Sequence, residues 1–521
     1  MNSSLSSFGY LLLGCGLALA SAACGAEGAA GTATPGTAGS GAQAGGSSGQ
    51  GGGSSAGSAG EMEELPGPAP STPQLPTPLT DQSRNLEDIL EHGALSASDC
   101  EHYFAGDTSR ETSLRCGKYM FFYANLEVPG SPAELVDLVR ESAPETIGGS
   151  LEKLGLFPNP YSEKGLPVGM TDGPPMANGA ASYTLTCGSC HFGKTVDGRY
   201  AVGSPNHDFS FGKYALTLVS LPELAILPLK KLSPEVEAAI GPVRDEAFAD
   251  LGTRLSFAGV AASLLGASKL PTPNDDDKRA LAILPAGVMD PYSPPSLDDG
   301  VKIPVRMSPL WGIDPEAMTA AGSVHGAMLG SNGGAPDLAH IMRTFAFIAG
   351  AVRDMPLGKE YDVAKVQPLI DYIMSLVPPK PEQTFEQDKL REGHRVFRDN
   401  CYRCHNGPGY AGTQVFDPNL IGTDPNIVRL VDKDGTGMAI AEVITPEEIT
   451  KGLRARRLSA VWSLKRIFHN GSAGSLSDVF CLEGPRPESP LGEGFSTSGH
   501  PFTCNLSEAD KRAAMYFVES L

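Results

Sequence analysis

Cys187-Gly188-Ser189-Cys190-His191 and Cys401-Tyr402-Arg403-Cys404-His405 decide how this chain is read. Each is a C-x-x-C-H stretch, the attachment signature of c-type haem. Two thiols three positions apart can each form a thioether with one of the two vinyl groups of a single porphyrin. The His that follows then supplies the proximal nitrogen to the iron. The plain alternatives are a redox C-x-x-C with an incidental His, and a zinc site. Zinc spacing does not normally put His directly after the second Cys. Both copies run on into a Gly-containing turn, Phe192-Gly193 in one and Asn406-Gly407-Pro408 in the other. Together they predict two covalently bound c-type haems, held by Cys187, Cys190, Cys401 and Cys404, with His191 and His405 as iron ligands.

Upstream, residues 11–23 are apolar and small, too short to span a bilayer, and read as the core of an export signal over residues 1–24. Ser21-Ala22-Ala23-Cys24 resembles a bacterial lipobox, which makes Cys24 the lipidated first residue of the mature chain. Cleavage after Ala20-Ser21-Ala22 without lipid is the alternative. Residues 25–80 are rich in Gly, Ala and Ser, then in Pro, and no aromatic residue occurs between Tyr10 and Tyr103. Such a segment cannot bury enough apolar surface to order itself, and as a coil it reaches on the order of 40 Å. It reads as a disordered tether that holds a folded body off a membrane. The expected location is the periplasmic face of a bacterial membrane or the cell surface, with the membrane touched only through the lipid. The formal charge of −20 argues against nucleic acid as partner. An acidic surface suits a basic redox partner protein, and solubility alone accounts for it equally.

Of the ten cysteines, Cys100, Cys116, Cys481 and Cys504 remain once the signal, the lipid site and the haem thiols are set aside. An even remainder in an oxidising compartment suggests two disulfides. Three pairings exist on paper, and short loop closure favours Cys100–Cys116 and Cys481–Cys504.

The folded part reads as mainly α with long irregular loops. Three stretches are marked out: an N-terminal helical region at 84–180, a haem 1 region at 181–376, and a haem 2 region at 385–521. Helix openings are written at Ser131-Pro132-Ala133-Glu134, Ser233-Pro234-Glu235 and Thr445-Pro446-Glu447. A cluster of motifs resembles the large bacterial di-haem cytochromes, a group that includes the rubber oxygenases and is related to bacterial cytochrome c peroxidase and the MauG-type enzymes. These are Gly165-Leu166-Pro167-Val168-Gly169, C-x-x-C-H-x-G, Gly203-Ser204-Pro205-Asn206 and the helix end Tyr372-Ile373-Met374-Ser375-Leu376-Val377-Pro378-Pro379. Residues 385–521 resemble a small class I cytochrome c domain. There the resemblance implies a first and last helix crossing at Gly393 against Tyr516 or Phe517, and Ser507 and Asp510 cap the last one.

The sixth position of each iron separates an electron relay from a reactive centre. For haem 2 the candidates are His394, His469, His500, Met438 and Met515. The resemblance favours His469, in Phe468-His469-Asn470-Gly471, as the distal ligand. For haem 1 the nearest candidate is His207, with His325, His340, Met307 and Met328 in range, and Trp311 as a wall of the pocket. The resemblance implies a haem-dependent oxidoreductase, with peroxide or dioxygen reacting at haem 1 and haem 2 exchanging electrons with a partner protein or small donor. The competing reading is a non-catalytic periplasmic electron carrier with two six-coordinate haems.

Overall fold

Short polar side chains set most helix starts in this chain. After strand β1 (Gln82–Ser83), Ser96 and Asp99 close a capping box on helix α1 (Ala97–Phe104). Ser109 accepts from the Thr112 amide at the head of α2 (Arg110–Tyr123). The Cys100–Cys116 disulfide joins these two helices, in the pairing expected from loop closure. At Ser131-Pro132 the structure departs from the expected helix cap. These residues form strand β2 (Ser131–Pro132), and α3 (Ala133–Ser142) begins after them. The reason is close backbone packing: a Cβ added to Gly130 would fall 1.8 Å from the Tyr183 carbonyl oxygen, so the chain enters here as a paired strand.

Strands β3 (Met170–Gly173) and β4 (Ser182–Leu185) lead directly into a five-residue helix, α4 (Cys187–His191), which is the first C-x-x-C-H stretch itself. Strands β5 (Phe192–Lys194) and β6 (Tyr200–Val202) follow. The orders β2-β4-β3 and β1-β6-β5 make two small antiparallel sheets, so α4 is the link from one to the other. A helical layer comes next: α5 (Phe211–Ile226), α6 (Pro234–Ala247) capped by Ser233 as expected, α7 (Leu251–Ala267) and α8 (Asp275–Ile283). Strands β7 (Val288–Met289) and β8 (Val305–Arg306) pair with each other. Helix α9 (Gln367–Ser375) lies on α2, where a Cβ on Gly117 would fall 2.1 Å from the Pro368 carbonyl oxygen. The last elements are α10 (Gln387–Asn400), the paired strands β9 (Val415–Phe416) and β10 (Leu453–Arg454), and α11 (Glu508–Glu519). Helices α10 and α11 cross at Gly393, where a Cβ would sit 2.2 Å from the Ala513 carbonyl oxygen and 2.8 Å from the Phe517 Cβ. The protein is therefore mainly α, with small sheets as fasteners.

The computed structural model describes residues 79–521 apart from 126, 128–129, 177–178, 268–273, 290–303, 312–361, 413, 426–451, 490 and 493. The signal, Cys24 and nearly all of the tether lie outside the described residues, as do His325, His340, Met328, Met438 and the helix opening at Thr445. The described residues belong to one compact unit. One hydrophobic core passes through all three stretches marked out in the sequence: it holds Phe121 and Phe122 of α2, Trp311, Tyr372 of α9, Phe397 of α10, and Phe517 of α11. Buried charge within it is matched. Lys118 donates to Glu91 at 2.5 Å and to the Thr80 carbonyl at 2.6 Å, while the Tyr372 hydroxyl donates to Asp81 at 2.6 Å. Among the described residues, no helix is long and apolar enough to cross a membrane.

Candidate haem sites

Four segments grip the first C-x-x-C-H stretch. Thr186 caps α4 through its hydroxyl, and its amide donates to the Gly169 carbonyl at 2.7 Å. Gly169 has φ +85°, and a Cβ there would fall 2.1 Å from the Ser189 nitrogen. This explains the last glycine of Gly-Leu-Pro-Val-Gly: no other residue lets that loop lie against the helix. On the other side, the Gly203 amide donates to the His191 carbonyl at 2.8 Å. Asn206 donates its amide to the Cys190 carbonyl at 2.9 Å and its side chain to the Ser189 carbonyl at 3.1 Å. The fourth grip is on the imidazole: His191 Nδ1 is 2.8 Å from the Ser308 carbonyl oxygen. A carbonyl only accepts, so Nδ1 carries the proton and the lone pair of Nε2 is left for a metal. Burial pushes this imidazole down to about 4, which keeps it neutral as a ligand must be.

The second stretch is built the same way from different elements. It follows α10 directly, with Cys401 at the helix end. His405 Nδ1 donates to the Tyr410 carbonyl at 2.8 Å, so here too Nε2 is free to bind. Burial lowers the His405 imidazole as well. Phe397, Tyr410 and Phe517 wall the ring, with Phe397 to His405 ring centres 6.1 Å apart.

Across from His405 stands His500, with ring centres 6.3 Å apart and planes at 68°. Two imidazole nitrogens each ~2 Å from one metal, with each ring centre about 1 Å behind its nitrogen, place the ring centres roughly 6 Å apart. The gap thus has the width of one iron with two axial imidazoles. His500 is half-buried and neutral, its imidazole pushed down to about 3 by desolvation, then by His405 and Arg486. Its Nδ1 is buried without a hydrogen-bond partner. His500 has φ +63° and is held by its surroundings. The Arg486 guanidinium donates to the carbonyls of Asp478 (2.9 Å), Val479 (3.1 Å), Thr497 (2.7 Å), His500 (2.9 Å) and Gly499. The Cys481–Cys504 disulfide brackets the same loop, again in the expected pairing.

His469 occupies a different place. The neighbouring Phe468 ring packs 6.2 Å from His500, while His469 accepts the Arg306 amide on its carbonyl at 2.8 Å and lies 3.4 Å from the Thr423 hydroxyl through Nδ1. Its imidazole is pushed down to about 3 by burial, then by Arg456 and Arg306. No ring contact joins it to His405 among the described residues. His207 is buried, and its Nε2 accepts the Lys465 amide at 3.2 Å. His394 packs on Phe517 at 4.9 Å, and Met307 lies in the second hydrophobic core. Trp311 is fully buried. Its indole donates to the Ser459 carbonyl at 3.1 Å, and its ring lies beside Gly203 of the first site, so it stands between that site and the segment around Ser459.

The thiols bear on the alternatives to haem. Burial pushes Cys187 and Cys401 up to about 12 and Cys190 up to about 11, the opposite of a reactive redox pair. All four stay unpaired. Among the described residues, no three His, Cys, Asp or Glu side chains gather to hold a bare metal ion, so neither stretch has a zinc ligand set there. The residues therefore fit covalent haem: thiols at vinyl spacing, an oriented imidazole beside each pair, and one gap of bis-imidazole width.

Reading the sequence did not find the Ser308 and Tyr410 carbonyls, which carry no side-chain signal. Arg486 left a faint one, a lone Arg between Pro485 and Pro487 inside the Cys481–Cys504 loop. No family model, no curated protein and no solved structure matches the chain.

Proposed function

We propose that the chain is an exported di-haem c-type cytochrome and a haem-dependent oxidoreductase, with cytochrome c-like regions around each attachment stretch. Covalent haem supplies one-electron chemistry, and at an iron with an open sixth position it supplies reaction with peroxide or dioxygen. The protein's own part is to hold and tune. Cys187 and Cys190, and Cys401 and Cys404, would hold the two porphyrins; the Ser308 and Tyr410 carbonyls fix His191 and His405 so that each Nε2 would be free to bind iron. His500 faces His405 and would be the second imidazole to hold the iron there, which would make that side the electron relay. The observation that carries this reading is the 6.3 Å separation of His405 and His500. His191 has no facing ring among the described residues, and His207 Nε2 is engaged by the Lys465 amide. In this reading haem 1, in the longer region 181–376, would be the reactive side, with Trp311 packed beside Gly203 of the first stretch. The donor is a redox partner protein or a small reductant. Cys24 tethers the protein as a lipoprotein on the periplasmic face.

The test is spectroscopic. The purified protein should keep its colour through acid-acetone extraction and give two haems per chain by the pyridine adduct, one after Cys187 and Cys190 are changed to Ala. Spin resonance of the oxidised protein should show one low-spin and one high-spin iron, and His500→Ala should make the low-spin one high-spin. Two low-spin irons that take neither carbon monoxide nor peroxide would leave the electron carrier as the function. Extractable colour would end the haem reading itself.

A further inference from the structure

A row of aromatic rings leads from the first C-x-x-C-H stretch toward the surface. Phe192 directly follows His191, and its ring centre lies 5.3 Å from that of Phe122. Phe122 also closes on the attachment helix, since a Cβ on Gly188 would fall 2.9 Å from its ring. From Phe122 the next ring centre, that of Tyr123, is 6.1 Å away, and Tyr119 lies 5.7 Å from Tyr123. Asn159 then joins Tyr123 to Tyr161: its side chain bonds the Tyr123 phenol, and its Oδ1 accepts the Tyr161 amide at 3.0 Å. Burial pushes the Tyr123 phenol up to about 12, and Tyr161 and Tyr119 stand close enough to add to that. Phe192 and Phe122 are fully buried, Tyr123 and Tyr119 are half-buried, and Tyr161 is 39% exposed. Packing asks only for rings, yet every outer member of the row carries a phenol.

The charges along the row favour electron loss at its outer end. A second branch leaves Phe192 toward Tyr200, 5.7 Å away, and there the Lys194 ammonium sits 4.5 Å over the Tyr200 ring centre. A cation on the face of a ring makes an electron harder to remove from it. Around Tyr161 the sign is reversed. Glu87 and Asp88 are near enough to raise its phenol, after desolvation, and an anion beside a phenol makes the electron easier to remove. The exposed ring is also held in place. Gly93 has φ +80°, and a Cβ there would fall 2.7 Å from the Tyr161 ring, so the ring lies directly against that turn.

We propose that Tyr161, with Tyr123 and Tyr119 behind it, is a surface site at which a phenolic one-electron donor is oxidised on behalf of the first attachment site. The proposal rests on the peroxide-reacting reading above. Peroxide takes up two electrons and two protons there and leaves as two waters. Each electron is drawn along the row from Tyr161, whose phenolic proton passes to water. A phenol outside the protein returns one electron and one proton to Tyr161 and departs as a phenoxyl radical, so two phenols are spent per peroxide. A phenol suits the site because exchange between two phenols runs close to balance in free energy. Donors too large to enter a haem pocket come within reach in this way.

The holoprotein decides it. Haem content and the Soret response to peroxide are read first on the wild-type chain. A chain without covalent haem, or Soret bands that peroxide leaves unmoved, ends the functional reading and this proposal with it. With that response present, spin resonance of samples frozen soon after peroxide addition should show a tyrosyl signal, narrowed when ring-deuterated tyrosine is supplied in growth. Tyr123→Phe keeps the ring and its packing, and should remove most of that signal. Tyr161→Phe should slow peroxide-driven oxidation of a phenol borne on a soluble polymer by about tenfold or more. Both variants should keep the wild-type haem count and Soret response. Tyr214, whose ring packs on Phe209 away from the row, is the control, and Tyr214→Phe should change neither readout. A Soret response without a tyrosyl signal, a signal that survives Tyr123→Phe, polymer oxidation at the wild-type rate in Tyr161→Phe, or an equal loss in Tyr214→Phe overturns this proposal alone.

Discussion

His500 carries a side chain on a left-handed backbone, a conformation that costs a non-glycine residue roughly 1–3 kcal/mol and persists only where the surroundings fix it. Arg486 does much of that fixing, since its guanidinium draws the carbonyls of 478–479 and 497–500 to one point. Arg486→Ala should therefore release His500 more than it unfolds the chain. On the di-haem proposal, the expected outcome is a rise in high-spin signal at haem 2 with both haems retained, and a stability loss on the order of 3 kcal/mol from charge-assisted bonds left unmade. A low-spin spectrum identical to wild type would show that the disulfide loop alone aims His500. His207 offers a second test at this scale. Burial, then Arg306, Lys465 and Arg466, push its imidazole down to about 3 from an ordinary 6.5. The unfolded chain thus takes a proton on this ring at a pH where the folded chain does not. Stability linked to it is complete above 6.5 and drains as pH falls toward 3, by up to about 1.4 kcal/mol per pH unit. In His207→Gln the acid-unfolding midpoint, followed by circular dichroism, should move to lower pH; a midpoint that stays or rises would contradict this.

Among the elements, helices whose caps and glycines were visible came out where they were read, and the exceptions have local causes. Ser233 caps α6 and Ser507 caps α11, and Gly393 marks the α10–α11 crossing. Gly393→Ala should lower thermal stability by about 1–3 kcal/mol, because its new methyl meets the Ala513 carbonyl and not a movable side chain. Calorimetry of the loaded protein reads it, and an unshifted melt would mean that α11 slides at no cost. Ser131-Pro132 misled because a capping pair and a strand start look alike until the partner strand 182–185 is known. The two C-x-x-C-H stretches could be singled out because their thiols and imidazole are contiguous in sequence. The ring facing His405 was not, because His469 and His500 are both loop histidines in a Gly- and Ser-rich segment. Spacing does not tell which one turns inward, and Phe468 facing His500 at 6.2 Å is a fact of the folded loop.

At the scale of the whole molecule, the three stretches separated by composition share one core. Helix α2 from the first, α9 from the second and α11 from the third all enter it, and long-range packing of this kind has no signature in a single sequence. The N-terminal strand is pinned to the same core by the buried Lys118, Glu91 and Asp81 set. Glu91→Gln leaves Lys118 without its nearest countercharge and should cost roughly 3 kcal/mol. Because the core is common, that loss should appear at both haems if they are bound as proposed: the melting curves of the two Soret bands should move down together. Separate shifts would mean that the halves unfold independently.

On the di-haem proposal, both attachment reactions would precede final packing. Cys187 and Cys401 pack against the one core that helices α2, α9, α10 and α11 share. A chain furnished at one stretch alone would then be left ajar throughout, and its susceptibility to proteolysis would report how far maturation had gone.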